Sequence, residues 1–155
     1  MDKLDSKTLL PGDVLLYKPT GLFGRIIALK TWHKIAHCEC YIGNGSSVAS
    51  RDGKGVNIYP LRLTDLAYIL RPTQPLDLVS GLRWFHKEAK GLPYGWLDLA
   101  QFVGRNVNGK GMVCSPFLTY FLRACKLPIF NDEPAEKIAP FQFILSELLD
   151  QVWPK

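Results

Sequence analysis

The sequence lacks any apolar run of the roughly 20 residues that a membrane-spanning helix needs. Its first seven residues carry charges of both signs, so no secretory signal peptide is expected. It also has no tandem repeat, low-complexity tract or long block of one charge, which argues against repeat proteins and disordered tails. We therefore expect a soluble protein that is cytoplasmic, or is released or carried in a viral particle.

Histidine and cysteine are scarce, with three and four residues in a chain of 155. Four cysteines could form two disulfides, but free thiols are expected in a chain without an export signal. Cys38 and Cys40 would share one face of a strand, with His37 on the other face. No second cluster of cysteine and histidine completes a zinc site, so we expect no metal, and the sequence implies no cofactor.

The composition, 47% hydrophobic and 21% charged, suits one ordinary globular domain spanning residues 1–155. A net charge of +5 favours an anionic partner, and a cell-wall polymer or a weakly bound anionic membrane would satisfy it. No zinc-finger or RNA-binding signature accompanies the charge, so no specific nucleic-acid partner is expected. The oligomeric state stays open.

Hydrophobic periodicity and turn residues predict short strands followed by helices. Five strands are expected, joined mostly by glycine-containing turns, at residues 14–17, 37–42, 47–51, 56–59 and 68–71. Helices are expected over residues 22–34, 77–90, 96–103 and 116–125, with a last helix or extended cover over 140–152. The predicted class is α+β, an antiparallel sheet packed against helices.

Cys114 is the strongest candidate for chemistry. It lies in Gly111-Met112-Val113-Cys114-Ser115-Pro116-Phe117, between a glycine-rich loop and an apolar run with helical spacing. Serine and proline are typical of the first positions of a helix, so free backbone N–H groups and the helix dipole would favour the thiolate. The expected base is His37, which begins a predicted strand that ends in an Asn-Gly turn. This pairing suggests papain-like catalysis.

The segment Gly91-Leu92-Pro93-Tyr94, followed by Val113-Cys114-Ser115, resembles the signature of NlpC-type papain-like cysteine peptidases. Because His37 precedes the cysteine, the order is similar to that of the circularly permuted, YiiX-like branch, and more distantly to lecithin–retinol acyltransferases. The resemblance extends from Pro11 to about Pro140. It implies a papain-like fold and a thiol hydrolase, of phage or bacterial type, that cleaves an amide bond in a cell-wall (peptidoglycan) peptide or another peptide-like substrate.

The resemblance also implies roles for individual residues. Cys114 would be the nucleophile, His37 the general base and then the acid, and Tyr94 the tyrosine near the nucleophile. A backbone N–H at the start of the helix would help to bind the oxyanion. The residue that orients the imidazole stays open between Asp52, which chemistry favours, and Ser50, which alignment favours; strand alternation would place both on one face.

Two other functions would use the same residues. A lipid-directed acyl hydrolase or acyltransferase is suggested by the basic and aromatic segment 22–34, which suits contact with an anionic membrane. A catalytically inactive binding module is suggested by the open third position of the triad. His33 competes with His37 as the base, whereas His86 is expected to be an ordinary helical residue.

Overall fold

Short apolar segments bounded by turn residues form the sheet in the computed structural model, which describes residues 8–21, 25, 29, 34–95 and 113–154. Neighbouring strands pair antiparallel in the order β4-β3-β2-β1-β5-β6. The five predicted strands are confirmed, with ends shifted by two residues at most, and so is the α+β class. The strands are β1 Val14–Tyr17, β2 His37–Gly43, β3 Ser46–Arg51, β4 Gly55–Pro60, β5 Leu66–Pro72 and β6 Leu149–Trp153.

The sixth strand corrects the expectation for residues 140–152. This segment, expected to be a last helix or an extended cover, divides into a 3-10 helix, Pro140–Leu145, and the extended edge strand β6, so a single helix through 152 is wrong. The strand pairs Leu149 with Pro72 and Trp153 with Ile69. A five-residue strand has little periodicity of its own, and its partner lies far away in the sequence, so the local pattern could not reveal the pairing.

Two helices of the described chain build the helical layer: α1 at Leu78–Trp84 packs against α2 at Cys114–Ala124, and α2 packs on β2 and β3. Asp77 caps α1, since its side chain accepts a hydrogen bond from the Ser80 N–H at 2.9 Å. A π-helical turn, Phe85–Ala89, continues α1 to the predicted end of the helix. A further 3-10 helix spans Ala135–Lys137.

Some expectations cannot be compared with the structure. The helix expected at 96–103 lies outside the described residues, as does His33. The helix expected at 22–34 lies largely outside them as well. Within the parts that are described, no helix combines the length and the apolar character that crossing a membrane requires.

The helices cover one face of the sheet and build the main core there. The centre of that core is α2, whose Phe117, Leu118, Phe121 and Leu122 are fully buried. Burial of one such side chain contributes about 1.5–3 kcal/mol. Alternation along β2 sends Cys38 and Cys40 into this core, as predicted. A smaller cluster lies on the opposite face, formed by Leu9, Leu15, Tyr17, Leu66 and Ile69.

Backbone hydrogen bonds attach the segment that leads to Tyr94 to the start of β4. The Val56 N–H donates to the Leu92 carbonyl oxygen, and the Gly91 N–H donates to the Val56 carbonyl oxygen, both at 2.8 Å. Gly55 has a φ of +77°, and a Cβ at this position would overlap the Leu92 carbonyl oxygen. Glycine is therefore required here both by the dihedral angle and by the close approach of the two backbones.

Gly55→Ala should destabilise the protein more than the matched change Gly53→Ala. Gly53 has a similar φ of +70° but open space around it. Dihedral strain should therefore lower the free energy of unfolding of both variants by about 1 kcal/mol. Gly55→Ala loses about 1–3 kcal/mol more through the steric overlap. Urea unfolding of both variants measures the difference, and equal losses would show that the contact with Leu92 does not constrain the loop.

Candidate active site

The fold brings Cys114 and His37 together. Cys114 is the first residue of α2, and His37 is the first residue of β2, on which α2 packs. The Cys114 Sγ lies 3.9 Å from the carbonyl oxygen of Ala36, the residue before His37. Interaction with His37 lowers the pKa of Cys114, and interaction with Cys114 raises the pKa of His37. The predicted nucleophile at a helix start thus lies beside the predicted base at a strand start.

Hydrogen bonds favour the thiolate of Cys114. The thiol of Cys38 donates to the sulfur, and this contact is the largest cause of a Cys114 pKa well below the ordinary value. Burial opposes the shift, but His37 and the backbone N–H of Cys38 add further hydrogen bonds and outweigh it. Cys114 therefore has the ionisation state of an activated nucleophile.

The remaining cysteines stay protonated. Burial raises the pKa of Cys38 and Cys40 well above the ordinary value, and it raises the pKa of Cys125 to about 12. The proximity of Cys114 raises that of Cys38 further, which keeps Cys38 a hydrogen-bond donor to the thiolate. All four thiols are free and buried. Cys114 is accordingly the one that ionises first.

His37 forms the cation of the pair. Burial lowers the pKa of its imidazole, but hydrogen bonds to Cys114 and Glu39 outweigh burial and raise the pKa to about 9. The Nε2 atom lies 2.9 Å from the Glu39 Oε1, so Nδ1 is left to exchange a proton with the sulfur. The His37 side chain is 18% exposed, which leaves the ring in reach of a substrate.

Glu39 is the carboxylate that contacts the imidazole, and its side chain is fully buried. Arg51 binds both carboxylate oxygens, with Nε 2.8 Å from Oε1 and an Nη 3.0 Å from Oε2, and the Ser47 hydroxyl donates to Oε2. Burial alone would raise the Glu39 pKa, but the bonds from His37 and Arg51 lower it to about 2. The carboxylate therefore stays charged across the physiological range.

The sequence prediction missed Glu39, although a signal for it was present. Side chains two apart on a strand share a face, so the spacing His37-Cys38-Glu39 already placed a carboxylate beside the imidazole. The two residues predicted to orient the ring lie elsewhere in the site. Ser50 is buried on β3 and, by alternation, lies on the face opposite Arg51. Asp52 is exposed in the turn after β3.

Tyr94 and Asp52 line a cavity of about 460 Å³ together with His37. Tyr94 is 7% exposed, and burial together with the charge of Cys114 raises its pKa, so its hydroxyl remains protonated. The volume lies in the range of small-ligand sites. The cavity opens beside the imidazole, and the described residues that line it are Lys18, Thr20, Gly21, Ala36, His37, Arg51, Asp52, Lys54, Arg62 and Tyr94.

Comparison with known proteins does not place the chain in a family. The sequence matches no model of a known protein family. It matches no curated protein either.

The described residues outside this site show neither a metal centre nor a second histidine at the cavity. No group of three or more histidine, cysteine, aspartate or glutamate side chains in the described residues is arranged to hold a metal ion. His86 is exposed in the π-helical turn, where its ring meets the edge of Phe85. It does not line the cavity.

Cys38→Ala should raise the pKa of Cys114, because it removes the thiol that donates to the sulfur. Hydrogen bonds to charged groups contribute about 1.5–3 kcal/mol, so the thiolate fraction in the acidic part of the titration should fall about tenfold or more. Ultraviolet thiolate absorbance across pH, minus that of the same protein with Cys114→Ser, measures this fraction.

Cys40→Ala is the matched control. Cys40 is equally buried on the same face of β2, and Cys114 is not among the groups that shift its pKa. Removal of the Cys40 thiol should leave the pKa of Cys114 unchanged. An equal shift in both variants would show that loosened packing, rather than the Cys38 hydrogen bond, changes the thiol.

Glu39→Gln should reduce the free energy of unfolding at neutral pH by about 3 kcal/mol, the scale for removing one partner of a buried ion pair. The folded pKa, about 2, lies below the ordinary 4.5, so the charge stabilises the fold above pH 4.5. That contribution is lost as the pH falls toward 2. Urea unfolding across this range should show wild type and variant converging in acid.

Asp52→Asn removes an exposed carboxylate and is the control for this titration. It should change the free energy of unfolding by less than about 0.5 kcal/mol at every pH. If the unfolding free energies of wild type and Glu39→Gln still differ near pH 2, the destabilisation of the variant is not electrostatic.

Proposed function

We propose that the protein is a cysteine hydrolase in which Cys114 is the nucleophile and His37 is the general acid and base. The observation that carries this proposal is the contact between a thiol of lowered pKa and an imidazole of raised pKa, with a buried carboxylate on the other ring nitrogen. Enzymes that hydrolyse through a covalent intermediate usually place a base beside the nucleophile and a third group that orients the base by a hydrogen bond.

The proposed reaction has two steps. The Cys114 thiolate attacks an acyl carbonyl, and the developing oxyanion is stabilised by N–H groups at the start of α2, which have no acceptor within the helix. The imidazolium of His37 gives its proton to the leaving amine as the C–N bond breaks, which leaves a thioester on Cys114. Water then attacks the thioester, His37 takes its proton, and the acid and the free thiolate are released.

Glu39 acts through His37 and is a positioning residue in this proposal. Its hydrogen bond to Nε2 directs Nδ1 toward the sulfur, and its charge stabilises the imidazolium. Tyr94 completes the site as a protonated hydroxyl beside the pair. Intact polar contacts around both Cys114 and His37 favour an enzyme over an inactive binding module.

The proposed fold is papain-like in its permuted, NlpC-type form. Support comes from the helix that begins at Cys114, the antiparallel sheet that carries His37, and the strand order that places β2 next to β1 and β3. An amide in a cell-wall peptide or another peptide-like compound is the proposed substrate. Release of peptide from muropeptides, rather than fatty acid from acyl lipids, would separate this proposal from a lipid-directed hydrolase.

Acylation of Cys114 by a p-nitrophenyl ester tests the mechanism without knowledge of the natural substrate. Wild type should release a burst of nitrophenol and carry the acyl group on Cys114, as read by peptide mass spectrometry, whereas Cys114→Ala should not. The activity should fall as the pH rises through about 9, where His37 loses its proton. In Glu39→Gln this alkaline limb of the pH–activity profile should move to lower pH, because the His37 pKa falls when the imidazolium loses its carboxylate partner.

Asp52→Asn and Ser50→Ala discriminate between the candidate orienting residues. Both should keep the alkaline limb of wild type if Glu39 orients the imidazole. A limb that moves in Asp52→Asn but not in Glu39→Gln would assign the role to Asp52 instead. Acyl transfer to a cysteine other than Cys114 would contradict the proposed nucleophile.

A further inference from the structure

The cavity beside His37 has a strongly basic lining. Among the described residues of its lining, four side chains, Lys18, Arg51, Lys54 and Arg62, are cationic, and one, Asp52, is a carboxylate. A concave site with an excess of one charge concentrates ligands of the opposite charge. Of the proposed catalytic pair, His37 lines this cavity, so a ligand bound there would lie beside the imidazole.

The guanidinium of Arg51 already has partners within the protein. Both of its contacts to Glu39 are short, and its Nη also donates to the Pro60 carbonyl oxygen at 3.2 Å. Its charge therefore serves the buried carboxylate rather than a ligand. The described lining keeps three other cations, Lys18, Lys54 and Arg62, against one carboxylate, that of Asp52.

Arg62 is held in place but has no anionic partner within the described chain. Its guanidinium carbon lies 4.5 Å from the centre of the Tyr17 ring, and the Tyr17 hydroxyl donates to the Arg62 carbonyl oxygen at 2.9 Å. Among the described residues, its buried Nε has no hydrogen-bond acceptor. A buried donor without an acceptor is costly, and guanidinium groups bind carboxylate and phosphate through paired hydrogen bonds.

Lys18 and Lys54 are exposed at the same cavity. Flexible ammonium groups of this kind attract an anion without fixing its geometry, whereas a stacked guanidinium also orients it. Arg62 is accordingly the specific contact, and the two lysines supply the surrounding positive field.

We infer that the substrate carries an anionic group, a carboxylate or a phosphate, which binds Arg62 in this cavity while Cys114 attacks a neighbouring acyl carbonyl. The inference rests on the proposed function and adds to it the charge of the substrate.

Three p-nitrophenyl esters test the inference: the neutral acetate, the monosuccinate with a free carboxylate, and a matching ester with a phosphonate. In wild type, kcat/KM for an anionic ester should exceed that for the acetate about tenfold. Arg62→Gln should abolish this preference, because kcat/KM for the anionic esters should fall to the value for the acetate. Arg83→Gln removes an exposed arginine outside the cavity and should keep the preference. The carboxylate and phosphonate arms show which anion is preferred.

The outcomes separate the two proposals. Equal kcat/KM for neutral and anionic esters in wild type, or a preference that survives Arg62→Gln, would overturn the inference and leave the cysteine hydrolase intact. Failure of every ester to acylate Cys114 would overturn both. Should Arg62→Gln fail to fold, wild type alone still decides, because a preference due to charge must fall as salt rises.

Discussion

The site depends on one buried charge, the carboxylate of Glu39. A carboxylate removed from water is stable only when hydrogen bonds and an opposite charge replace its hydration. Arg51, Ser47 and His37 do this together, and each is thereby fixed in position. Loss of the charge would release the arginine and the imidazole at once. The geometry of the base is thus coupled to the stability of the sheet.

Three consecutive residues at the start of β2 link the Glu39 carboxylate to Cys114, the proposed nucleophile. Glu39 holds the imidazole of His37, His37 contacts Cys114, and Cys38 donates to the same sulfur from the other face of the strand. Alternation along a strand makes this division possible, because neighbouring side chains point to opposite faces. The helix dipole at the start of α2 acts in the same direction on the thiol. A rigid central strand is a suitable carrier for such an arrangement, since its flanking strands fix its position.

Local chemistry made Cys114 and His37 predictable, because a cysteine before a helix and a histidine at a strand start are both visible in the sequence. The strands were predictable for a similar reason: turn residues bound them. The spacing of His37 and Glu39 on β2 is local and visible, but the ionisation of Glu39 depends on Arg51, a residue 12 positions away. The pairing of β6 with β5 leaves no local periodicity because its partner is distant in the sequence. The contacts that could not be predicted, Arg51 with Glu39 and β6 with β5, are both between separate segments.

The two arginines of the cavity show how the site separates chemistry from recognition. Arg51 could bind a substrate anion only by weakening its bonds to Glu39, and the imidazolium of His37 would then lose support. A substrate that competed for Arg51 would therefore reduce the reactivity of the pair that must attack it. Arg62, stacked on Tyr17 and free of that carboxylate, carries no such conflict. In this proposal Arg51 binds Glu39 and Arg62 binds the substrate anion. The cavity can therefore attract an anion while His37 keeps its proton.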